Sequence, residues 1–134
     1  MSSPSSDAHA GASPEAGLDA QALDALRQLD PDGRAGLLAR VLDTYRASLE
    51  RLLRQLDEAL ARADAPAMRL AVHTLKSSSA SIGARCLSQL CADAELALRD
   101  GRLDDAGALL VQLRSESGQV DRAVQQLLVD PNFR

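Results

Sequence analysis

The chain is predicted to be all-α, an antiparallel four-helix bundle with an additional short N-terminal helix, and three observations predict this. Hydrophobic residues make up 46% of the 134 positions, but nearly all are Leu, Ala and Val, with one Tyr, one Phe and no Trp. That palette favours helices and is poor in the aromatic and β-branched residues of strands. Apolar residues recur at intervals of three and four through five segments, with no alternating stretch and no internal repeat. Short turns rich in Pro, Gly and Asp separate the segments, which places successive helices antiparallel. The length suits one domain plus tails.

Residues 1–17, MSSPSSDAHAGASPEAG, hold no apolar side chain larger than Ala after Met1. They cannot bury enough surface to offset the entropy of ordering, so they are expected to be a disordered tail or linker, with His9 idle in solvent. A first helix is expected over about 18–29 on Leu18, Leu23, Leu26 and Leu29, stopping before Asp30-Pro31. The second, over about 33–63, carries the longest stripe, from Leu38 through Val41, Leu42, Tyr45, Leu49, Leu52, Leu53 and Leu56 to Leu60. The third opens at Pro66, where the missing N–H costs nothing, and breaks at Gly83. The fourth runs over about 84–99 on Leu87, Leu90, Cys91, Ala94 and Leu98. The fifth runs over about 103–128; Asp104 and Asp105 suit its positive end, and Ser117-Gly118 is a weak spot. The domain is thus expected over 18–129, with a C-terminal tail at 130–134.

Net charge is −4 with pI near 5.1, so the basic excess that drives phosphate-backbone binding is missing and nucleic acid is not expected as a partner. No apolar run approaches the roughly 18–20 residues of a membrane span, and no basic-then-hydrophobic leader opens the chain. A cytoplasmic protein with no membrane partner is expected. Cys86 and Cys91 fall about 140° apart around one helix and cannot bridge; both are read as reduced core residues. Neither His9 nor His73 has a Cys-x-x-Cys beside it, so no zinc site is expected.

His73 opens the stretch HTLKSSSASIGA, residues 73–84. At 100° per residue, Ala67, Met68, Ala71, Thr74, Leu75, Ser78 and Ile82 are assigned to the core side of the third helix. Arg69, His73, Lys76, Ser77 and Ala80 take the opposite side, so His73 is expected in water with two cations within a turn. By position alone this would be an ordinary surface histidine. The serine run argues for more: serine hydroxyls compete for backbone groups and are costly inside a helix. Small residues at 77 and 80 leave an open platform around the imidazole for a partner's close approach.

The stretch resembles the signature of histidine phosphotransfer (HPt) domains, roughly H-x-L-K-G-S-[SA]-x-x-[LI]-G-A, through His73, Leu75, Lys76, Ser78, Ser79, Ile82, Gly83 and Ala84. Cys91 and the Ala94-Glu95 pair also fall where the family often has a cysteine and a polar residue, and the order of helices from 18 to 128 fits the family's bundle. One position departs from the pattern: Ser77 stands where glycine is usual.

The resemblance implies a phosphorelay carrier, not an enzyme in its own right. His73 would accept a phosphoryl group on Nε2 from a receiver-domain phospho-aspartate and pass it to an aspartate of another receiver. A neutral imidazole suits this as a nucleophile near pH 7 that forms a labile P–N bond. Lys76 would offset the phosphoryl charge. Glu95 would orient His73 through the other ring nitrogen, or else pair with Arg99 one turn on. Ser77 would keep the site clear or touch the phosphate. Arg69 and Ala80, with exposed positions of the second helix, would contact the partner. The partners implied are receiver domains of response regulators or of a hybrid histidine kinase, met by a monomer. No cofactor of the chain's own is expected, and magnesium would sit on the receiver.

Two rivals come from other classes. The dimerisation and phosphoacceptor hairpin of a sensor kinase usually has an acidic residue directly after the histidine, whereas Thr74 follows here and no ATP-binding region is visible. A degenerate bundle would bind receivers without carrying phosphate.

Overall fold

The computed structural model describes residues 18–29, 32 and 36–130. The expected N-terminal tail with His9, the start of the second helix at 33–35, the Asp30-Pro31 stop and tail residues 131–134 lie outside the described residues. Five helices follow in order: α1 (Ala20–Arg27), α2 (Leu37–Ala61), α3 (Ala65–Ser81), α4 (Arg85–Arg99) and α5 (Leu103–Val129). Among the described residues there is no strand, and no helix is long and apolar enough to cross a membrane.

Helices α2 to α5 form the bundle. Each packs on its neighbour in sequence and α5 closes back on α2. That last seam is partly polar: Arg46 Nε donates to Asp121 Oδ1 at 2.8 Å, and Arg114 pairs with Asp57. The core is a column of leucines with small residues between them, including Leu42, Leu56, Leu75, Leu87 and Leu113, all buried, with Ala59, Ala84, Ala94 and Ala97 where helices approach closely. Each fully buried leucine contributes about 1.5–3 kcal/mol.

The three bundle turns are alike because each closes a helix with the same pair of bonds. After α3, Ala84 N donates to Ser79 O at 2.9 Å and Gly83 N to Ala80 O at 3.1 Å, with Gly83 left-handed at φ +83°. Gly101 does the same after α4, at φ +74°, and Ala63 after α2, at φ +53°. This arrangement satisfies carbonyls that a helix end would orphan. Helix α3 starts at Ala65, one residue before the proline expected to open it, because Asp64 caps it: its Oδ1 accepts from Ala67 N at 3.1 Å.

Helix α1 lies against the α3–α4 turn through buried Leu18 and Leu23. Asp19 N donates to Gly83 O at 2.7 Å, and Asp19 Oδ1 accepts from Gln21 N at 3.3 Å. Asp19 Oδ2 faces the Arg85 guanidinium at 2.9 Å as an ion pair whose angle is not that of a hydrogen bond. A Cβ on Gly83 would stand 2.7 Å from Ala22 Cβ and 3.0 Å from the Asp19 carbonyl oxygen. The glycine therefore serves twice, in its own turn and as the seat of α1.

Three expectations are corrected. Leu29 and Leu60 are exposed and not part of the stripe; Leu29 lies beyond the end of α1. Cys86 is exposed while Cys91 is buried, since residues about 140° apart cannot both face one core. The burial of Cys91 pushes its thiol up to about 12, so it stays protonated. Helix α5 runs as the single expected helix through the weak spot at Ser117-Gly118, where the buried Ser117 hydroxyl donates to Leu113 O at 2.8 Å and needs no other partner. Thr74, assigned to the core, is exposed, and Ser79 is buried in its stead. Thr74 is about 200° around the helix from buried Val72, and the inner face centres on Val72, Leu75 and Ser79.

Ser79 is satisfied across the core by Tyr45, whose hydroxyl lies 2.9 Å from its Oγ. Burial pushes the tyrosine up to about 12, keeping it an O–H group at ordinary pH. Tyr45→Phe is expected to cost about 1–2 kcal/mol by stranding the Ser79 hydroxyl. The pair Tyr45→Phe with Ser79→Ala should cost less than the two single changes summed, as read from a urea double-mutant cycle.

Candidate functional site

The site lies across α3 and α4. The two helices run antiparallel from the tight Ile82–Ala84 turn, which brings residue 73 opposite residue 95. Ser88 Oγ of α4 donates to the Lys76 carbonyl at 3.0 Å and ties the pair together at this level. The His73 side chain is 57% exposed, so a partner can reach the ring.

One carboxylate holds both neighbours. His73 Nδ1 is 2.8 Å from Glu95 Oε2, and Lys76 Nζ donates to Glu95 Oε1 at 2.7 Å. The Lys76 hydrogen bond holds the Glu95 carboxyl below the usual carboxylate range; burial opposes it, and the hydrogen bond from His73 adds to the lowering. An ionised carboxylate only accepts, so Nδ1 must carry the proton and the lone pair of the neutral ring sits on Nε2. The geometry thus presents one nucleophilic nitrogen in a fixed tautomer.

The residues singled out in the sequence fall together unevenly. His73, Lys76 and Glu95 form one hydrogen-bonded group. The alternative partner of Glu95, Arg99, turns to Asp100 at 3.5 Å. Lys76 is not fully in water but half-buried on the flank of α3, since it is about 40° from the inner face at Val72. Ser77, Arg69 and Ala80 are exposed on the His73 side of α3. Ser78 and Ser81 spend their hydroxyls on their own helix, donating to Leu75 O at 3.3 Å and Ser78 O at 2.7 Å. Two residues beside the site escaped the sequence reading. Ser88 has no sequence signal, because its partner is a backbone carbonyl on another helix. Leu70, 68% exposed one turn before His73, was visible as an apolar residue on a polar face.

Lys76→Ala should leave the fold intact and let Glu95 titrate closer to the ordinary carboxylate value, as carboxyl NMR would show. The sign follows from linkage: a depressed folded value means stabilisation present above the unfolded value and lost as pH falls through the folded one. That acid-side loss should shrink in the variant.

A helical bundle that displays one imidazole, its tautomer set by a carboxylate and a cation beside it, defines a protein that offers a nucleophile to a partner. Residues 40–128 match the Hpt domain family, and the chain belongs to it. It is a histidine phosphotransfer carrier of phosphorelays. Among solved structures it is similar to histidine-containing phosphotransfer protein B (HptB) from Pseudomonas aeruginosa PAO1, at 32% identity and a TM-score of 0.76, over 84% of this chain and 95% of that one. A rice protein described as a candidate histidine-containing phosphotransfer protein shares the fold at 21% identity and a TM-score of 0.73, over 84% of this chain and 80% of that one. No curated protein matches significantly.

Proposed function

We propose that His73 is the phosphoacceptor, taking a phosphoryl group on Nε2 from a receiver-domain phospho-aspartate and passing it to an aspartate on a second receiver. The observation that carries this is the exposed ring whose Nδ1 is committed to Glu95, leaving Nε2 as the outward nucleophile. Lys76 offsets the charge of the phosphoryl oxygens, Glu95 orients the ring, and Ser77 leaves room for the incoming group. Arg69 and Ala80 belong to the surface the receiver covers. The chain acts as a cytoplasmic monomer with no catalytic activity or nucleotide site of its own. The receiver, on a response regulator or a hybrid histidine kinase, brings the magnesium ion.

Incubation with a phosphorylated receiver tests the proposal. The expected product is an acid-labile, alkali-stable phosphoryl group on His73, found by peptide mapping, in a chain of monomeric solution mass. Failure to take label from every phosphorylated receiver offered would leave a bundle that binds receivers without carrying phosphate. A stable dimer would favour the sensor-kinase hairpin.

A further inference from the structure

The hydrogen bond to Nδ1 fixes the tautomer of His73, and Glu95 makes it while its other oxygen accepts from Lys76, which a carboxamide with a single oxygen could not do for both. Glu95 adds a negative charge 2.8 Å from the ring. We propose that this charge keeps Nδ1 of phosphorylated His73 protonated through and above neutral pH, and so sets the pH range over which the carrier passes its phosphoryl group on. The inference rests on the carrier reading above and concerns how that same site is regulated by pH.

The chemistry asks for that proton. When Nε2 attacks, its lone pair forms the N–P bond, and the P–O bond to the donor aspartate breaks with its electrons on the departing carboxylate. The Nδ1 proton stays, so the ring becomes an N-phosphoryl imidazolium. Onward transfer reverses the step: the N–P electrons return to Nε2 and a neutral imidazole leaves. If Nδ1 has lost its proton, the leaving group is instead an imidazolate, a far stronger base, and transfer stalls. A carboxylate on Nδ1–H stabilises the imidazolium as an aspartate does in a catalytic triad.

The charged groups around the ring support the same sign. Glu95 from α4 is hydrogen-bonded to it, and Lys76 from α3 binds the far oxygen of that carboxylate, 2.7 Å away. Lys76 opposes the effect at longer range. Arg69 is a turn away on α3 and exposed; Arg99 on α4 is engaged by Asp100. Among the described residues, no charged group of α2 or α5 hydrogen-bonds or ion-pairs with the ring. The phosphoryl dianion also favours the proton, but equally in any variant of residue 95, so it cancels in the comparison.

The test uses the full chain with His9→Gln, which leaves His73 as the one histidine. It is loaded with phosphoramidate and no receiver is present. Ring-nitrogen NMR then follows Nδ1 of the phosphorylated ring against pH. Glu95→Gln, which removes the charge at nearly the same size, is expected to lower the midpoint by about one pH unit, a tenfold drop in the protonated fraction on its alkaline side. Equal midpoints would overturn the proposal. Lys76→Ala should raise the midpoint, and a fall there would also overturn it. With a receiver added, the pH at which onward transfer fails should move with the midpoint; identical transfer profiles for Glu95→Gln and the parent chain would remove the functional half. A loaded ring that titrates as expected but never exchanges phosphate with a receiver would count against the carrier reading alone.

Discussion

His73→Gln is expected to reduce phosphoryl uptake from a phosphorylated receiver to background while leaving the fold intact. Glutamine can still donate a hydrogen bond to Glu95, but its amide nitrogen has no lone pair available to attack phosphorus. More than half of the histidine side chain is in solvent, and its one hydrogen-bond partner is the partly exposed Glu95. The stability cost should therefore stay within about 1 kcal/mol. Retained helical circular dichroism and a urea midpoint shifted by no more than that cost would certify the fold, and radiolabel transfer would read the function. If the variant still took an alkali-stable label, the acceptor would be another residue.

Gly83→Ala should be among the most destabilising single changes in the bundle, at about 2–4 kcal/mol. Left-handed backbone costs a residue with a Cβ about 1–2 kcal/mol. The new methyl also meets Ala22 Cβ at 2.7 Å and the Asp19 carbonyl at 3.0 Å, contacts that require α1 to shift. Overpacking of that kind adds about 1–3 kcal/mol, limited by the ease with which α1 can lift off. Gly101→Ala is the matched control, with a similar φ of +74° and nothing within 4 Å of the added atom. It should cost only the backbone strain. Urea unfolding separates the two magnitudes, and hydrogen exchange should show α1 amides losing protection in Gly83→Ala alone. Equal costs would mean that the seating of α1 contributes nothing.

The contrast between these glycines shows how much of the molecule was legible beforehand. Both follow the last apolar residue of a helical stripe, which is enough to read each as a helix end. That Gly83 is also pressed against α1 is a contact between segments some sixty residues apart, and no local pattern encodes it. The same division runs through the serine run. Its cost to a helix was apparent, yet which serine faces inward was misjudged, because a buried Ser79 bonded to Tyr45 looks in sequence like any other polar position. The exposed Cys86 failed for the opposite reason: an apolar-looking residue was taken for core although its angular distance from Cys91 ruled out a shared face.

By itself, the sequence determined the helical class, the order of the five helices to within a few residues, and the outward position of His73 with Lys76 close by. These are matters of short-range periodicity, which an α-helix converts directly into direction. It also carried the family resemblance. Only the tertiary structure decided that Glu95 faces His73 and not Arg99, and that one carboxylate binds both the imidazole and the lysine. That pairing depends on the register between α3 and α4, set by the length of one tight turn and the packing of small residues beneath it. A change of one residue in that register would rotate Glu95 about 100° away from the ring.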